Sequence, residues 1–174
     1  RGKYISDVFD YDGLGFGQTH QIIAGCGLGK TYAGDKITPK SFFTPMARQA
    51  DTFTQAANAR GANAHAVREG IEHKGQDVVY STYDGAKKET AQLVDDENPL
   101  SLNGRTAFLD EIQHLATDGY RRKTALVPLM TLSKLYLEQG GRIISLSGTP
   151  TPLLPHPIGF EGSNVLVFTR NDDD

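Results

Sequence analysis

The feature that most constrains the fold of this chain is a series of short apolar runs, rich in β-branched and aromatic residues, with stretches of helical character between them. These runs do not alternate cleanly between apolar and polar residues, so they predict strands that are buried on both faces. Strands that alternate with helices imply right-handed crossovers and a mostly parallel sheet. We therefore predict an α/β fold in which helices cover both faces of a mostly parallel central sheet.

The predicted elements follow directly from these runs. Strands are predicted at 20–24, 40–45, 77–82, 105–110, 142–147 and 164–169, with a weaker candidate at 63–67. Helices are predicted at 30–36, 46–60, 84–94 and 122–138. Leucines recur near one face of the last helix, and Gly140-Gly141 predicts its end. We expect residues 1–174 to form a single domain.

Composition narrows the classes of function. The single cysteine cannot form an internal disulfide, which suits a reducing compartment. We therefore expect a protein of the cytoplasm or an equivalent reducing compartment, where it could associate with the nucleoid. No apolar run approaches the roughly 20 residues that span a bilayer, so no membrane partner is expected. The net charge of −3 argues against a dominant basic face. It does not exclude nucleic acid, because a local basic groove is sufficient.

The stretch AGCGLGKT, residues 24–31, joins a predicted strand to a predicted helix. In that context its glycines let consecutive backbone N–H groups form an anion nest at a helix N-terminus. Lys30 would reach the β- and γ-phosphates, and the Thr31 hydroxyl would ligate Mg²⁺. The alternative is a glycine-rich turn that happens to precede Lys-Thr. The predicted cofactor-binding residues are Gly25, Cys26, Gly27, Leu28, Gly29, Lys30 and Thr31.

Two acids emerge where the apolar strand of RTAFLDEIQHL ends. The carboxyl edge of an open α/β sheet is where such folds bind ligands. Asp110 would hold Mg²⁺ through its water shell, and Glu111 would orient and polarise the attacking water. The alternative is an ordinary acidic helix start, since Asp and Glu favour helix N-termini.

A third segment, SLSGTPTP at residues 145–152, also follows an apolar strand. Its hydroxyl residues Ser147 and Thr149 flank Gly148 beside the expected position of the two acids. They could bond to Glu111, Gln113 or a terminal phosphate and so sense which nucleotide is bound. A strand that leaves through a Gly-Thr-Pro turn explains the same residues equally well.

These three motifs, in this order, resemble the first RecA-like motor domain of superfamily 2 helicases and translocases, a group of P-loop NTPases. AGCGLGKT matches the A-x-x-G-x-G-K-T form of the phosphate loop, LDEIQ looks like the DExx box, and LSGTP is similar to the third motif. The resemblance covers about residues 20 to 150 and implies ATP and Mg²⁺ as cofactors. It implies that Gln113 acts with the catalytic residues Lys30 and Glu111, and that Ser147 and Thr149 couple hydrolysis to strand movement.

The resemblance also implies a nucleic-acid track. FTPMARQ and YSTYDGAKK lie where the family contacts DNA or RNA, which would place Thr44, Pro45, Arg48, Ser81 and Thr82 along its backbone. Hydroxyls and main-chain N–H groups bind phosphates without reading sequence. Each of these residues could instead be a turn or helix-cap residue, the usual role of Ser and Thr at strand ends.

We therefore expect the ATP-binding and hydrolysing half of a helicase or translocase. The family's second RecA-like domain, in cis or in trans, supplies an arginine finger that can be worth about 10³–10⁵ in rate, so this chain alone should turn ATP over slowly. Two alternatives use the same residues. One is a DNA-packaging or restriction-type translocase, and the other is a regulatory module that holds nucleotide without unwinding anything.

Overall fold

The structure, a computed structural model, describes residues 4–117, 119–150 and 153–170, and within 119–123 only the backbone. Its centre is a seven-stranded sheet in the order β3-β4-β2-β5-β6-β1-β7, and every pairing is parallel. The strands are β1 (Thr19–Ala24), β2 (Lys40–Thr44), β3 (Ala64–Val67), β4 (Val78–Thr82), β5 (Thr106–Asp110), β6 (Arg142–Ser147) and β7 (Asn164–Phe168). All predicted strands, including the weak candidate at 63–67, are confirmed.

Four α-helices accompany the sheet in the described residues: α1 (Ala47–Ala59), α2 (Ala86–Gln92), α3 (His114–Thr117) and α4 (Gly119–Glu138). The predicted helices at 46–60, 84–94 and 122–138 correspond to α1, α2 and α4. Gly140 has a φ of 84°, the left-handed conformation that ends α4 as predicted. Short 3₁₀ turns lie at Ile5–Asp7, Tyr11–Gly13, Tyr32–Gly34 and Tyr83–Gly85.

The helix predicted at 30–36 is wrong: this connection contains only the 3₁₀ turn Tyr32–Gly34. One reason is Gly34, which lowers helix propensity and packs against the end of the Phe108 ring, where an added Cβ would be 2.7 Å from Cζ. Another is distance, because the chain must pass two intervening strands, β6 and β5, to reach β2. The distance from β1 to β2 is three inter-strand spacings of about 4.8 Å, or roughly 14 Å. Crossing this distance uses residues that a helix would need.

Helices and loops bury both faces of the sheet, which confirms the predicted layering. Successive residues of one strand point to opposite faces, so Phe42 and Phe43 belong to different cores. The face that includes Phe42 packs against α1 and the segment before β1, and the face that includes Phe43 packs against α2 and α4. Strand β7 lies at one edge and is largely exposed.

Among the described residues, no helix combines the length and apolar character that a membrane crossing requires.

Candidate functional site

The register of three neighbouring strands brings the three sequence motifs to one edge of the sheet. Asp110 pairs with Leu146, and Ile23 pairs with Ser147, so β5, β6 and β1 end side by side. Gly148 lies beside the start of the glycine-rich loop, where a Cβ on it would be 3.9 Å from the Ala24 carbonyl oxygen. The loop, the two acids and the Ser-Gly-Thr turn therefore share the carboxyl edge.

The glycine-rich loop has a backbone that only glycine adopts easily. Gly27 and Gly29 have φ values of 78° and 76°, in the left-handed region. Leu28 between them is buried and accepts a hydrogen bond from the Ile5 N–H at 2.9 Å, which ties the loop to the N-terminal segment. Gly25, Cys26 and Gly27 are exposed, as a site for a soluble anion requires.

Lys30 folds back over this loop. Its ammonium donates to the carbonyl oxygens of Ala24, at 2.5 Å, and Gly25, at 3.2 Å. Its positive charge also lowers the pKa of Asp110, which places the two groups within electrostatic reach of each other. The half-buried Thr31 follows as the first residue of the turn toward β2.

Asp110 is a buried carboxyl at the end of β5, 5% exposed. Its pKa is raised to about 7, mainly by burial and then by the neighbouring Glu111, while Lys30 and the backbone N–H of Glu111 act in the opposite direction. The hydroxyl of Tyr83 donates to the backbone carbonyl of Asp110 and holds the end of the strand in place. A carboxyl whose ionised form is disfavoured by burial is suited to a site completed by a cation.

Glu111 is held in a conformation that is rare for its residue type. Its φ is 52°, and such outliers persist where the surrounding structure enforces them, frequently at functional sites. Its backbone N–H donates to the Leu146 carbonyl at 3.0 Å. Its carboxylate accepts a hydrogen bond from the Gln113 amide at 2.6 Å and lies 3.8 Å from the His114 ring. The structure thus brings Glu111 and Gln113 together.

The Ser-Gly-Thr turn differs from the expectation in one respect. The Ser147 hydroxyl donates to the Thr149 carbonyl at 2.5 Å and accepts from the Thr149 N–H at 3.1 Å, so it bonds within its own turn instead of to Glu111 or Gln113. Ser147 is buried, whereas Thr149 is exposed. Any contact with a phosphate would thus fall to Thr149, or to Ser147 after the turn rearranges.

Most of the residues predicted to lie along nucleic acid are buried. Thr44 and Thr82 face each other in register, and the Thr44 hydroxyl donates to the Gln49 side chain at 2.7 Å. Ser81 lies under Gly85, where a Cβ would have no room, and donates to the Thr82 carbonyl at 2.9 Å. Pro45 is buried as well.

Arg48, on the first turn of α1, is the exposed member of this predicted set. Two residues that the sequence interpretation did not assign also border the site. Tyr4 packs over the loop, 3.5 Å from the position of a Cβ on Gly29, and Arg170 lies 4.0 Å from that of Gly27. A third unassigned residue, Lys40, is buried at the opposite, amino edge of the sheet, in register with Thr106, and its ammonium reaches the turn after the loop. Of these three residues, only Lys40 could have been singled out from the sequence, since a charged residue at the start of a buried apolar run is unusual.

The residues present fit a nucleotide with Mg²⁺. Among the described residues, no three His, Cys, Asp or Glu side chains come together as a metal cage. Mg²⁺ does not require one, since it usually keeps several waters and takes one or two carboxylates plus substrate phosphates. Asp110 and Thr31 would be the protein groups nearest such an ion, and Lys30 would face the phosphates.

The backbone is similar to solved helicase structures. The crystal structure of the DUF1998 helicase MrfA bound to DNA aligns with 89% of this chain at a TM-score of 0.61 and 14% identity. That of a hypothetical ATP-dependent RNA helicase from Sulfolobus tokodaii aligns with 87% at a TM-score of 0.61 and 13% identity. This chain spans 25% of the first protein and 48% of the second. Neither a protein-family model nor a curated protein matches the sequence.

At such low identity the likeness concerns the fold, and the all-parallel seven-stranded sheet agrees with it. The resemblance predicted from the three motifs is confirmed at this level: the chain has a RecA-like α/β fold, similar to that found within these helicase structures.

Proposed function

We propose that this chain is the ATP-binding and hydrolysing motor domain of a nucleic-acid helicase or translocase. The observation that carries the proposal is the buried Asp110 carboxyl, placed within reach of the Lys30 ammonium at the edge where a glycine-rich loop opens. Three independent sequence segments converge there, which a chance glycine-rich turn would not explain.

Phosphate binding would use the loop and its lysine. The backbone N–H groups of residues 25–29 and the Lys30 ammonium supply the positive potential that a triphosphate needs. Lys30 would exchange its bonds to the Ala24 and Gly25 carbonyls for bonds to phosphate oxygens. Such an exchange requires little movement, because the ammonium already lies over the loop.

Hydrolysis would use the two acids at the end of β5. Bound Mg²⁺ would neutralise phosphate charge, and Asp110 would hold it once the carboxyl loses its proton. Glu111 would orient the attacking water and accept its proton, while Gln113 keeps the Glu111 carboxylate in place at 2.6 Å. Thr149 and Ser147 would sense whether the terminal phosphate is present and would couple hydrolysis to movement along the nucleic acid.

DNA or RNA would be the track, and a second RecA-like domain, in cis or in trans, would close over the nucleotide. Arg48 is the predicted contact that is exposed for this role. Because the solved relatives are much longer than this chain, we expect the isolated domain to bind ATP but to hydrolyse it slowly.

Cys26 provides a direct assay of this proposal. It is the only cysteine, it is exposed, and it lies in the middle of the loop, so its reaction rate with a maleimide dye reports on occupancy. We expect Mg²⁺ and ATP to slow labelling in the parent and to leave the rate for Lys30→Ala unchanged. Lys36→Ala, a change of an exposed lysine in the same connection, is the matched control and should retain protection.

Labelling of the parent that is unaffected by about 1 mM ATP, the upper end of usual substrate constants, would contradict the proposal. With binding established, ATP turnover in the presence of single- and double-stranded DNA and RNA separates the alternatives. Stimulation by nucleic acid supports a motor, whereas binding without stimulated turnover supports a regulatory nucleotide-binding module.

A further inference from the structure

Lys40, the first residue of β2, has a buried ammonium that the proposed chemistry does not use. The residue is 2% exposed and borders a cleft of about 1090 Å³ between α1 and the N-terminal segment. Its Nζ donates to the Gly34 carbonyl at 2.8 Å and to the Asp35 carbonyl at 3.4 Å. It also lies 5.5 Å from the centre of the Tyr80 ring and 5.9 Å from that of Phe108.

The carbonyl groups that Lys40 holds belong to the turn that leaves the phosphate loop. The Gly34 N–H donates to the Thr31 carbonyl at 3.1 Å, and the Ala33 N–H donates to the Gly29 carbonyl at 3.0 Å. Gly34 also rests on Phe108, two residues before Asp110. One cation therefore links the loop exit, the neighbouring turn and the strand that carries the acid.

In a longer helix, the turns beyond the loop would stabilise its first turn through further backbone hydrogen bonds. Only a single 3₁₀ turn is present here, so those bonds are missing. We propose that Lys40 is a positioning residue for the nucleotide site: its ammonium fixes the turn after the phosphate loop against β5, so that the affinity for ATP depends on its positive charge.

The electrostatics agree with a charge kept for function. Burial lowers the pKa of Lys40 to about 8, with Asp35 raising it and Arg60 lowering it. An apolar side chain would avoid this desolvation, and local rules are most often broken at functional sites. The charged and titratable side chains on the elements around Lys40 are Asp7, Asp10, Asp12, Asp35, Lys36, Arg60, His65, Asp77 and Tyr80.

The inference rests on the proposed function, and its test is the dissociation constant of ATP with Mg²⁺, measured by equilibrium dialysis. We expect Lys40→Met to weaken binding by about ten- to a hundredfold, the range for loss of one charge-assisted hydrogen bond. Lys36→Met removes an exposed charge from the same connection and should bind as the parent does. Lys40→Arg keeps the charge and should restore most of the affinity.

The pH profile gives a readout that a purely structural lysine would not change. As the pH rises from about 7 to about 9.5, Lys40 loses its proton, so the affinity of the parent should fall. This alkaline fall should be absent from Lys40→Met and from Lys40→Arg. If Lys40→Met does not fold, the comparison of the parent with Lys40→Arg decides, because both carry Asp110, and parallel profiles for the two refute the inference.

The failures are distinguishable. If Lys40→Met binds ATP as tightly as Lys36→Met, the positioning role is wrong and the proposed function stands. If neither the parent nor Lys36→Met binds ATP, the proposed function is wrong and the inference falls with it.

Discussion

Replacing Asp110 with asparagine should stabilise the nucleotide-free protein while it destroys the metal-dependent response. The pKa of Asp110 is raised from 3.8 to about 7 in the folded state, mainly by burial and then by Glu111. The folded state thus binds this proton more tightly than the unfolded chain does. The stability that this proton contributes to the folded state is fully present below pH 3.8 and falls as the pH rises toward 7. Above about pH 7 no further stability is lost.

The size of the effect follows from the same values. At about 1.4 kcal/mol for each pH unit between 3.8 and about 7, ionised Asp110 costs the folded state about 4 kcal/mol at pH 8. At pH 5 most of the cost is absent, and it should be below about 2 kcal/mol. Asparagine keeps the shape of the side chain and cannot ionise, so Asp110→Asn should recover most of this free energy at the higher pH.

The assay is urea unfolding followed by circular dichroism, with EDTA present, at pH 5 and pH 8. Asp77→Asn, at an exposed aspartate before β4, is the control and should stay within about 0.5 kcal/mol of the parent at both pH values. Saturating Mg²⁺ and ATP should then narrow the difference between the two proteins. At 100 times its dissociation constant a ligand adds about 2.7 kcal/mol to the parent, and Asp110→Asn should gain much less. An asparagine variant that is no more stable than the parent at pH 8 would refute the burial argument.

Three further predictions concern the mechanism and the packing. Glu111→Gln should leave the protection of the loop cysteine by ATP intact and reduce turnover at least about 100-fold, because the amide cannot accept the proton; phosphate release measures it. Gly34→Ala should lower the free energy of unfolding by about 1–3 kcal/mol, because its Cβ would overlap the Phe108 ring. Glu89→Ala should lower the free energy of unfolding by about 3–5 kcal/mol in urea, because it leaves the buried Arg105 guanidinium, 3.3 Å away and 1% exposed, without its negatively charged partner.

Each packing prediction has its own control. Gly13→Ala places a Cβ where no atom lies within 4 Å and should not destabilise the protein, so an equal loss for Gly34→Ala and Gly13→Ala would contradict the steric reasoning. For the ion pair, Arg105→Met combined with Glu89→Ala should recover part of the loss. If the double variant is instead less stable than Glu89→Ala alone, the unpaired charge of Arg105 is not the cause of the loss.

The strands could be predicted from the sequence because burial on both faces leaves a local signal. Strand β5 (Thr106–Asp110), for example, is buried along its whole length, and its centre is a continuous apolar run. The edge strand β7 was also found, since its valines favour a strand whether or not it is covered. The glycine-rich loop and the paired acids are equally visible in the sequence, because the proposed phosphate and metal chemistry would demand particular residues at particular spacings.

Contacts between distant residues decided the rest. The connection 30–36 carries residues that tolerate a helix, yet the ring of Phe108 and the ammonium of Lys40 hold Gly34 in a 3₁₀ turn. The burial of Thr44 and Ser81 likewise depends on the turns that pack over them. The raised pKa of Asp110 has the same origin, because desolvation depends on every neighbour that excludes water. Local sequence thus determined which segments are strands and which residues can carry chemistry, whereas packing between segments determined how those residues are held.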